Sequence, residues 1–168
     1  MYLNTTTGNL KMDDPAHWEK VFQSAGKVSL HAEGDTFVAA VGLWKKLGAP
    51  CELHLCHMSL QVEVELIREL KKDKKYAKKI SCEVCPHHLL MTWEERKKHG
   101  AFCCMKPPLA EESDIEALWK GIQDGTIDFL ATDHAPHTRA EKEKSDIDGI
   151  PVYGIPGVET LFPLMFTE

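Results

Sequence analysis

The chain has 168 residues, of which 43% are hydrophobic and 27% charged, and its formal net charge at pH 7 is −6. This length and composition predict one globular domain with a substantial core. The negative balance argues against nucleic acid or an anionic membrane as a partner, and no apolar run is long enough to span a bilayer.

Short apolar strands alternate with longer helical patterns in the first half of the chain. The first helix has clear boundary signals, with Pro15 in its first turn and Gly26 as its stop. In chain order we predict a helix over 13–26, a strand that begins at 27 and ends at His31, a helix over 35–48, a strand over 51–57, a helix over 59–78 and a strand over 79–84.

The second half begins with two helices whose starts are marked by capping boxes. Thr92 is followed three residues later by Glu95, and Ser113 by Glu116. Between these helices, residues 101–109 (AFCCMKPPL) predict a short strand that two prolines stop.

Residues 127–132 (IDFLAT) are the last clear strand. Residues 138–157 mix charge, glycine and proline without a period, which predicts a mobile active-site loop. Residues 158–168 have the pattern of a helix start. The alternation of strands and helices predicts an α/β fold with parallel strands and right-handed crossovers.

The cysteines favour a reduced, cytoplasmic protein, because the chain opens with no leader peptide and the thiols suit small core positions. Cys82 and Cys85 have the spacing of a redox or zinc-ribbon pair, but no second pair stands at ribbon distance, so a core role is favoured. The cysteines are Cys51, Cys56, Cys82, Cys85, Cys103 and Cys104.

Four predicted strands end in imidazoles or carboxylates, at His31, His57, Glu83 and Asp133. Since parallel strands direct their carboxyl ends to one face, these groups should converge where α/β active sites are built. Imidazole nitrogen and carboxylate oxygen suit zinc or a similar divalent ion. Such an ion activates water and polarises carbonyls, and a nearby carboxylate can move the proton.

Each histidine taken alone fits a structural role better than a metal site. A single histidine at a strand end is more often a hydrogen-bonded core residue than a ligand, so it is the joint recurrence at strand ends that favours a site. His54 is not aligned with His57 along its strand, and His17 and His99 lie in surface helical patterns, so all three are interpreted as structural.

Cys56 and Glu83 lie beside the inferred pocket. We favour packing for Cys56, whose side chain should point away from that of His57 in a regular strand, and a supporting role behind the metal ligands for Glu83. An extra metal ion held by both is the alternative.

Several stretches together resemble dihydroorotase of the amidohydrolase superfamily. CEVCPHHLLMT, MKPPL and GTIDFLATDHAPHT carry the resemblance, and SLHAEGD, LHLCHMS and YGIPGVETLFPL fit the same family in the same order. ATDHAPHT and PHHL are specific, whereas the other short stretches are weak alone. Allantoinase, a sister family with the same overall organisation, is the second candidate, because its usual residues at these positions differ.

The resemblance implies a metal-dependent (β/α)8 barrel of the TIM type. Enzymes of this family interconvert N-carbamoyl-L-aspartate and L-dihydroorotate in pyrimidine biosynthesis, usually with two zinc ions. It implies that His31 and His57 bind metal, and that Asp133 contacts metal and acts as acid or base. His137 would bind substrate, as would Gly157 in the glycine-rich loop. Lys106 stands where many members carry asparagine, and it could pair with a substrate carboxylate.

Two expected features of the family are not found in this sequence. No His-x-His pair precedes His31, and the lysine that is carboxylated to bridge two metals has no counterpart. We therefore expect residues 1–168 to be one incomplete barrel domain, from the end of strand four through strand eight. It should bind at most one Zn²⁺ and be inactive alone.

Three explanations of an incomplete barrel remain open. We favour a fragment of a longer enzyme; the alternatives are a separate chain that supplies the missing N-terminal half and a homo-oligomer. A non-catalytic scaffold is a further possibility, but such a protein has no physical need for the site residues His31, His57, Asp133 and His137.

Overall fold

The computed structural model describes residues 1–6 and 8–167. Its sheet is parallel throughout, with the strands in the order β1-β2-β3-β4, so the predicted α/β class is confirmed. The strands are β1 (Lys27–Leu30), β2 (Glu52–Leu55), β3 (Ile80–Val84) and β4 (Phe129–Leu130).

The helices follow the predicted pattern between the strands. They are α1 (Pro15–Ser24), α2 (Gly34–Lys46), α3 (Gln61–Lys71), α4 (Lys74–Ala77), α5 (Pro86–Leu90), α6 (Trp93–His99), α7 (Glu112–Gln123), α8 (Arg139–Asp148) and α9 (Leu161–Thr167). None of them, in the part of the chain described, is long and apolar enough to cross a bilayer.

The core lies between one face of the sheet and the helices. Leu53 and Leu55 of β2 are buried, as are the alternate residues of β3, while Trp44 of α2 is fully buried against them. The opposite face is polar and half-buried: His54 pairs in register with Ser81 of the next strand. β2 and β3 are therefore apolar on the helix-facing side alone, because the other face carries the polar groups.

Two predicted elements differ from the structure. The helix predicted over 59–78 is two helices, because the Asp73 side chain accepts from the Lys75 amide and starts α4 anew. The strand predicted over 101–109 is a 3-10 turn, Gly100–Cys103, followed by irregular chain.

The segment 138–157 is not all loop, since α8 occupies Arg139–Asp148. The Thr138 hydroxyl and the Glu141 carboxylate cap each other's backbone groups, which starts the helix despite its polar composition. Lys142 anchors it: the buried ammonium donates to the carbonyls of Cys104 and Val152. Without a hydrophobic period, this helix was not recognised from sequence.

Candidate metal centre

His31 and His57 meet at the ends of neighbouring strands. β1 and β2 are parallel and in register at Leu30 and Leu55, so the residues that follow them leave the sheet side by side. The Nδ1 atom of His31 lies 3.0 Å from the Nε2 atom of His57. His57 is buried and His31 is half-buried. The structure thus brings together the two histidines that we predicted to bind metal.

Both imidazoles are neutral at pH 7. Burial lowers the pKa of His31 to about 4, helped by the neighbouring His57, and burial also lowers the pKa of His57 to about 4. The Nδ1 atom of His57 is buried and has no hydrogen-bond partner among the described residues. Neutral rings are the form in which histidine binds metal, and His31 Nδ1 and His57 Nε2 face each other, so this donor pair fits a metal ion.

Asp133 lies near these histidines but not in the same tight group. The pKa of Asp133 is raised because neighbouring atoms exclude water from the carboxyl, although much of the residue's surface is exposed. Interaction with the charged form of His31 opposes this rise, and the negative charge of Glu83 adds to it. Among the described residues, the sets of three ligand atoms lying within 4.8 Å of one another do not include His31, His57 and Asp133 together.

Backbone strain is concentrated at two of these positions. His57 has φ 38° and Asp133 has φ 43°, both in the left-handed region that residues with a β-carbon rarely adopt. Such strain persists only where the surrounding structure holds it, and it clusters at functional sites. Both residues stand just beyond a strand end, where the chain turns away from the sheet.

A second group of ligand atoms forms on the polar face of the sheet. His54 Nε2 lies 2.9 Å from Glu83 Oε2, and one ligand atom from each of His54, Cys56 and Glu83 lies within 4.8 Å of the others. Cys56 Sγ is also 3.6 Å from His31 Nε2, so this group adjoins the histidine pair.

The prediction that His54 is structural did not foresee this grouping, although both ring nitrogens are hydrogen-bonded, to Ser81 and to Glu83, as that role implies. The signal was present in the two-residue period of strands, which directs residues 54 and 56 of β2, and residues 81 and 83 of β3, to one face. The register of His54 with Ser81 then brings Glu83 close to Cys56, but register was not readable from sequence.

Lys106 and Asp133 line one small cavity of about 170 Å³, together with Tyr153 and Gly154. The Lys106 ammonium lies 4.6 Å from the centre of the Tyr153 ring. The cavity therefore presents a cation and a carboxylate to a small molecule. Gly154 is required there because a β-carbon would come within 2.4 Å of the Ala135 carbonyl oxygen.

His137 and Gly157 both join the segment after β4 to the chain that follows α8. The His137 Nε2–H group donates to the Tyr153 carbonyl at 3.0 Å. The Gly157 amide donates to His134 Nδ1 at 3.0 Å. Both predicted substrate-binding residues thus have intramolecular partners in this structure, and His134, which we did not single out, ties down the glycine-rich loop.

Glu63 supports the loops that carry His31 and His57. Its buried carboxylate accepts from the amides of Gly34, beyond β1, and of Ser59 and Leu60, beyond β2. Burial raises its pKa to about 7, against the opposing effect of these three donors. The sequence analysis did not identify Glu63, because its burial depends on the tertiary fold.

In sequence, the chain is similar to dihydroorotases. Over 118 residues the chain is 47% identical to a dihydroorotase of Geobacillus sp. (strain WCH70), and over 120 residues 44% identical to a dihydroorotase of Staphylococcus aureus. These matches cover 70% and 71% of the chain, but 26% and 27% of the relatives. The resemblance to dihydroorotase is confirmed, and the chain spans about a quarter of the length of those enzymes. No family model matches the chain.

Two solved structures have the fold of this chain over part of their length. Dihydropyrimidinase from Brevibacillus agri matches 96% of the chain with a TM-score of 0.81 and 20% identity, covering 43% of that protein. Dihydroorotase from Saccharomyces cerevisiae, solved with 5-fluoroorotic acid, matches 99% of the chain with a TM-score of 0.77 and 21% identity, covering 52% of that protein.

Proposed function

We propose that this chain, a homologue of part of dihydroorotase, belongs to a metal-dependent cyclic amide hydrolase that interconverts N-carbamoyl-L-aspartate and L-dihydroorotate. The observation that carries the proposal is the meeting of His31 and His57 at neighbouring strand ends in a chain 47% identical to a dihydroorotase. A structural role explains one buried histidine, but two neutral imidazoles in contact suit a shared cation better.

In this proposal His31 and His57 hold a divalent ion, for which zinc is the natural candidate with nitrogen ligands. Bound there, the ion would supply an activated water and polarise the amide carbonyl. Cys56, Glu83 and His54 lie next to the pair, so they either hold its rings in place or bind a further ion.

Asp133 is proposed as the catalytic acid and base. Its raised pKa makes the carboxylate a better proton acceptor than an ordinary surface aspartate. In ring closure the same group would give the proton back, since the reverse reaction uses the same path. The carboxyl must move toward the histidine pair to do so, and we expect substrate and metal to draw it in.

Lys106 is proposed to pair with a carboxylate of the substrate. It shares a cavity with Asp133, and both N-carbamoyl-L-aspartate and dihydroorotate are carboxylic acids, so a cation there would offset their charge. His137 and Gly157 would bind substrate through the loop they tie down, with His137 exchanging its bond to the Tyr153 carbonyl for one to the ligand.

The sheet supports the proposal that β1 to β4 are consecutive strands of a (β/α)8 barrel. Sequential order with every neighbour parallel is the barrel arrangement. The side chains of β4 are also incompletely covered, with Phe129 55% exposed and Leu130 41% exposed, as expected where a further strand or subunit would pack.

The test is a chimera in which this chain replaces the matched segment of the Geobacillus dihydroorotase. After circular dichroism has verified folding, the zinc-loaded chimera is assayed with dihydroorotate, allantoin and hydantoin. We expect turnover of dihydroorotate above the other two, and its loss when His31 and His57 are both replaced by asparagine. A folded, zinc-bound chimera that prefers allantoin or hydantoin would overturn the assignment.

A further inference from the structure

A separate group of buried donors lies just beyond the end of β3. Cys85 follows the strand and caps the start of α5, and His87 and His88 lie in the first turn of that helix. One ligand atom from each of the three lies within 4.8 Å of the others, and all three residues are buried. The function proposed above uses none of them.

The hydrogen bonding of His88 defines its tautomer. Its Nε2 atom lies 3.2 Å from the Pro107 carbonyl oxygen, which can only accept, so the ring proton is on Nε2. The Nδ1 atom therefore carries a lone pair, and it is buried without a partner among the residues described. A ring N–H bonded to a backbone carbonyl is the usual support of a histidine that binds metal through its other nitrogen.

His87 also has a buried polar atom without a hydrogen-bond partner. Its Nε2 atom is buried and lacks a partner among the described residues, and its ring packs edge-on against that of His88, with centroids 4.5 Å apart. Buried polar atoms without partners are uncommon in folded proteins and cost about 1–3 kcal/mol each. Two such atoms, on neighbouring histidines grouped with a thiol, call for a common ligand.

Burial also holds these groups in the required protonation state. It lowers the pKa of His87 to about 2 and that of His88 to about 4, so both rings are neutral with free lone pairs. It raises the pKa of the Cys85 thiol, which therefore keeps its proton until a cation replaces it.

We propose that Cys85, His87 and His88 form a second metal site, which takes Zn²⁺ or another borderline-soft divalent cation with water as the fourth ligand. One sulfur and two imidazole nitrogens are a suitable donor set for tetrahedral zinc. On binding, the Cys85 S–H bond breaks, a Zn–S bond forms, and the proton passes to solvent; no atom changes oxidation state.

The site has an entry path and a structural consequence. His87 lines a cavity of about 200 Å³ that also contacts Met91, Ile155 and Leu164, so an ion would approach the site through this cavity. Through the His88–Pro107 bond the ion would fix the segment that carries Lys106. The prediction of at most one zinc considered only residues at strand ends. This site would add a second ion.

Cobalt substitution tests the proposal directly. The chain, freed of metal, is titrated with Co²⁺ while thiolate-to-cobalt absorption is followed in the near ultraviolet. Because Cys56 belongs to the other ligand group, the Cys56→Ala variant is used as the starting protein. We expect a thiolate band in Cys56→Ala that persists when Cys103 is also replaced by alanine, and disappears when Cys85 is. A spectrum unchanged by Cys85→Ala would overturn the proposal.

A second measurement tests the site without a substitution at Cys85, His87 or His88. X-ray absorption of zinc bound to Cys56→Ala, with Cys85 intact, should contain a Zn–S distance of about 2.3 Å. A zinc environment of nitrogen and oxygen alone would contradict the site even if Cys85→Ala failed to fold.

Discussion

The Nδ1 atom of His31 lies 3.0 Å from the Nε2 atom of His57, close to the separation that a single zinc ion would impose. Zinc–nitrogen bonds of about 2.0–2.1 Å in a tetrahedron separate the ligand atoms by about 3.3 Å. The two rings would thus move apart by only a few tenths of an ångström to admit the ion. The fold therefore places His31 and His57 close to the geometry that one bound zinc ion requires.

The 168-residue chain alone should not turn over dihydroorotate measurably, because Asp133 lies outside the histidine pair and a misplacement of about 1 Å costs on the order of a hundredfold in rate. The assay follows dihydroorotate absorbance with zinc present, beside a full-length dihydroorotase as control. A rate within about a hundredfold of that control would contradict the prediction.

Asp133→Asn in the active chimera should lower kcat by about 10²–10⁴-fold, because the amide cannot accept the proton although its oxygen can still contact metal. Zinc content, measured by atomic absorption, should not change. Asp13→Asn is the matched control, an exposed aspartate paired with Lys11, and should retain full activity. Turnover within about tenfold of the parent would remove Asp133 from the mechanism.

Lys106→Ala should raise KM for dihydroorotate more than it lowers kcat, because it removes a charge contact made equally in ground and transition states. Lys97→Ala is the control, since Lys97 also lies over an aromatic ring, that of Trp93, but is exposed. An unchanged KM in Lys106→Ala would mean that the lysine does not contact substrate.

The metal-free chain should lose stability as the pH falls from about 6.5 toward 4. The unfolded histidines take up protons in that window while the buried His57 and His88 do not, so the unfolded state binds more protons and gains in stability. His88 alone should contribute a loss on the order of 2 kcal/mol between pH 7 and pH 5. Urea unfolding at both pH values measures this loss, and His88→Gln should reduce it. An equal loss in His88→Gln and the parent would contradict the assignment.

Glu63→Gln should destabilise the chain by about 1–3 kcal/mol at pH 7, because the amide NH2 would face backbone N–H donors. Between about pH 4.5 and 7, the raised pKa of Glu63 keeps a proton on the folded parent that the unfolded chain has already released. The contribution of Glu63 to stability therefore falls as the pH rises through that window.

Glu65→Gln, at an exposed position two residues along the same helix, is the control and should change the free energy of unfolding little. Loss of zinc affinity in Glu63→Gln alone would further indicate that Glu63 positions the loops of His31 and His57. If both variants unfold at the same urea concentration as the parent, Glu63 does not support the site.

The four strands of the sheet were predictable from sequence, because apolar runs bounded by polar residues are local features; the same kind of run over 101–109 forms no strand. His31 and His57 could be paired from that pattern, since parallel strands end on one face. Two features were not predicted. The contact of His54 with Glu83 depends on strand register, and helix α8 with its buried Lys142 depends on capping within a polar sequence. Both are decided by neighbours distant in the chain.

The left-handed backbone at His57 and Asp133 has a consequence for protein engineering. Glycine would relieve about 1–2 kcal/mol of steric cost at each position. A laboratory selection for heat resistance alone should therefore enrich glycine at 57 and 133, and so erase the proposed chemistry while the protein survives hotter conditions. Heat resistance and turnover would have to be selected together.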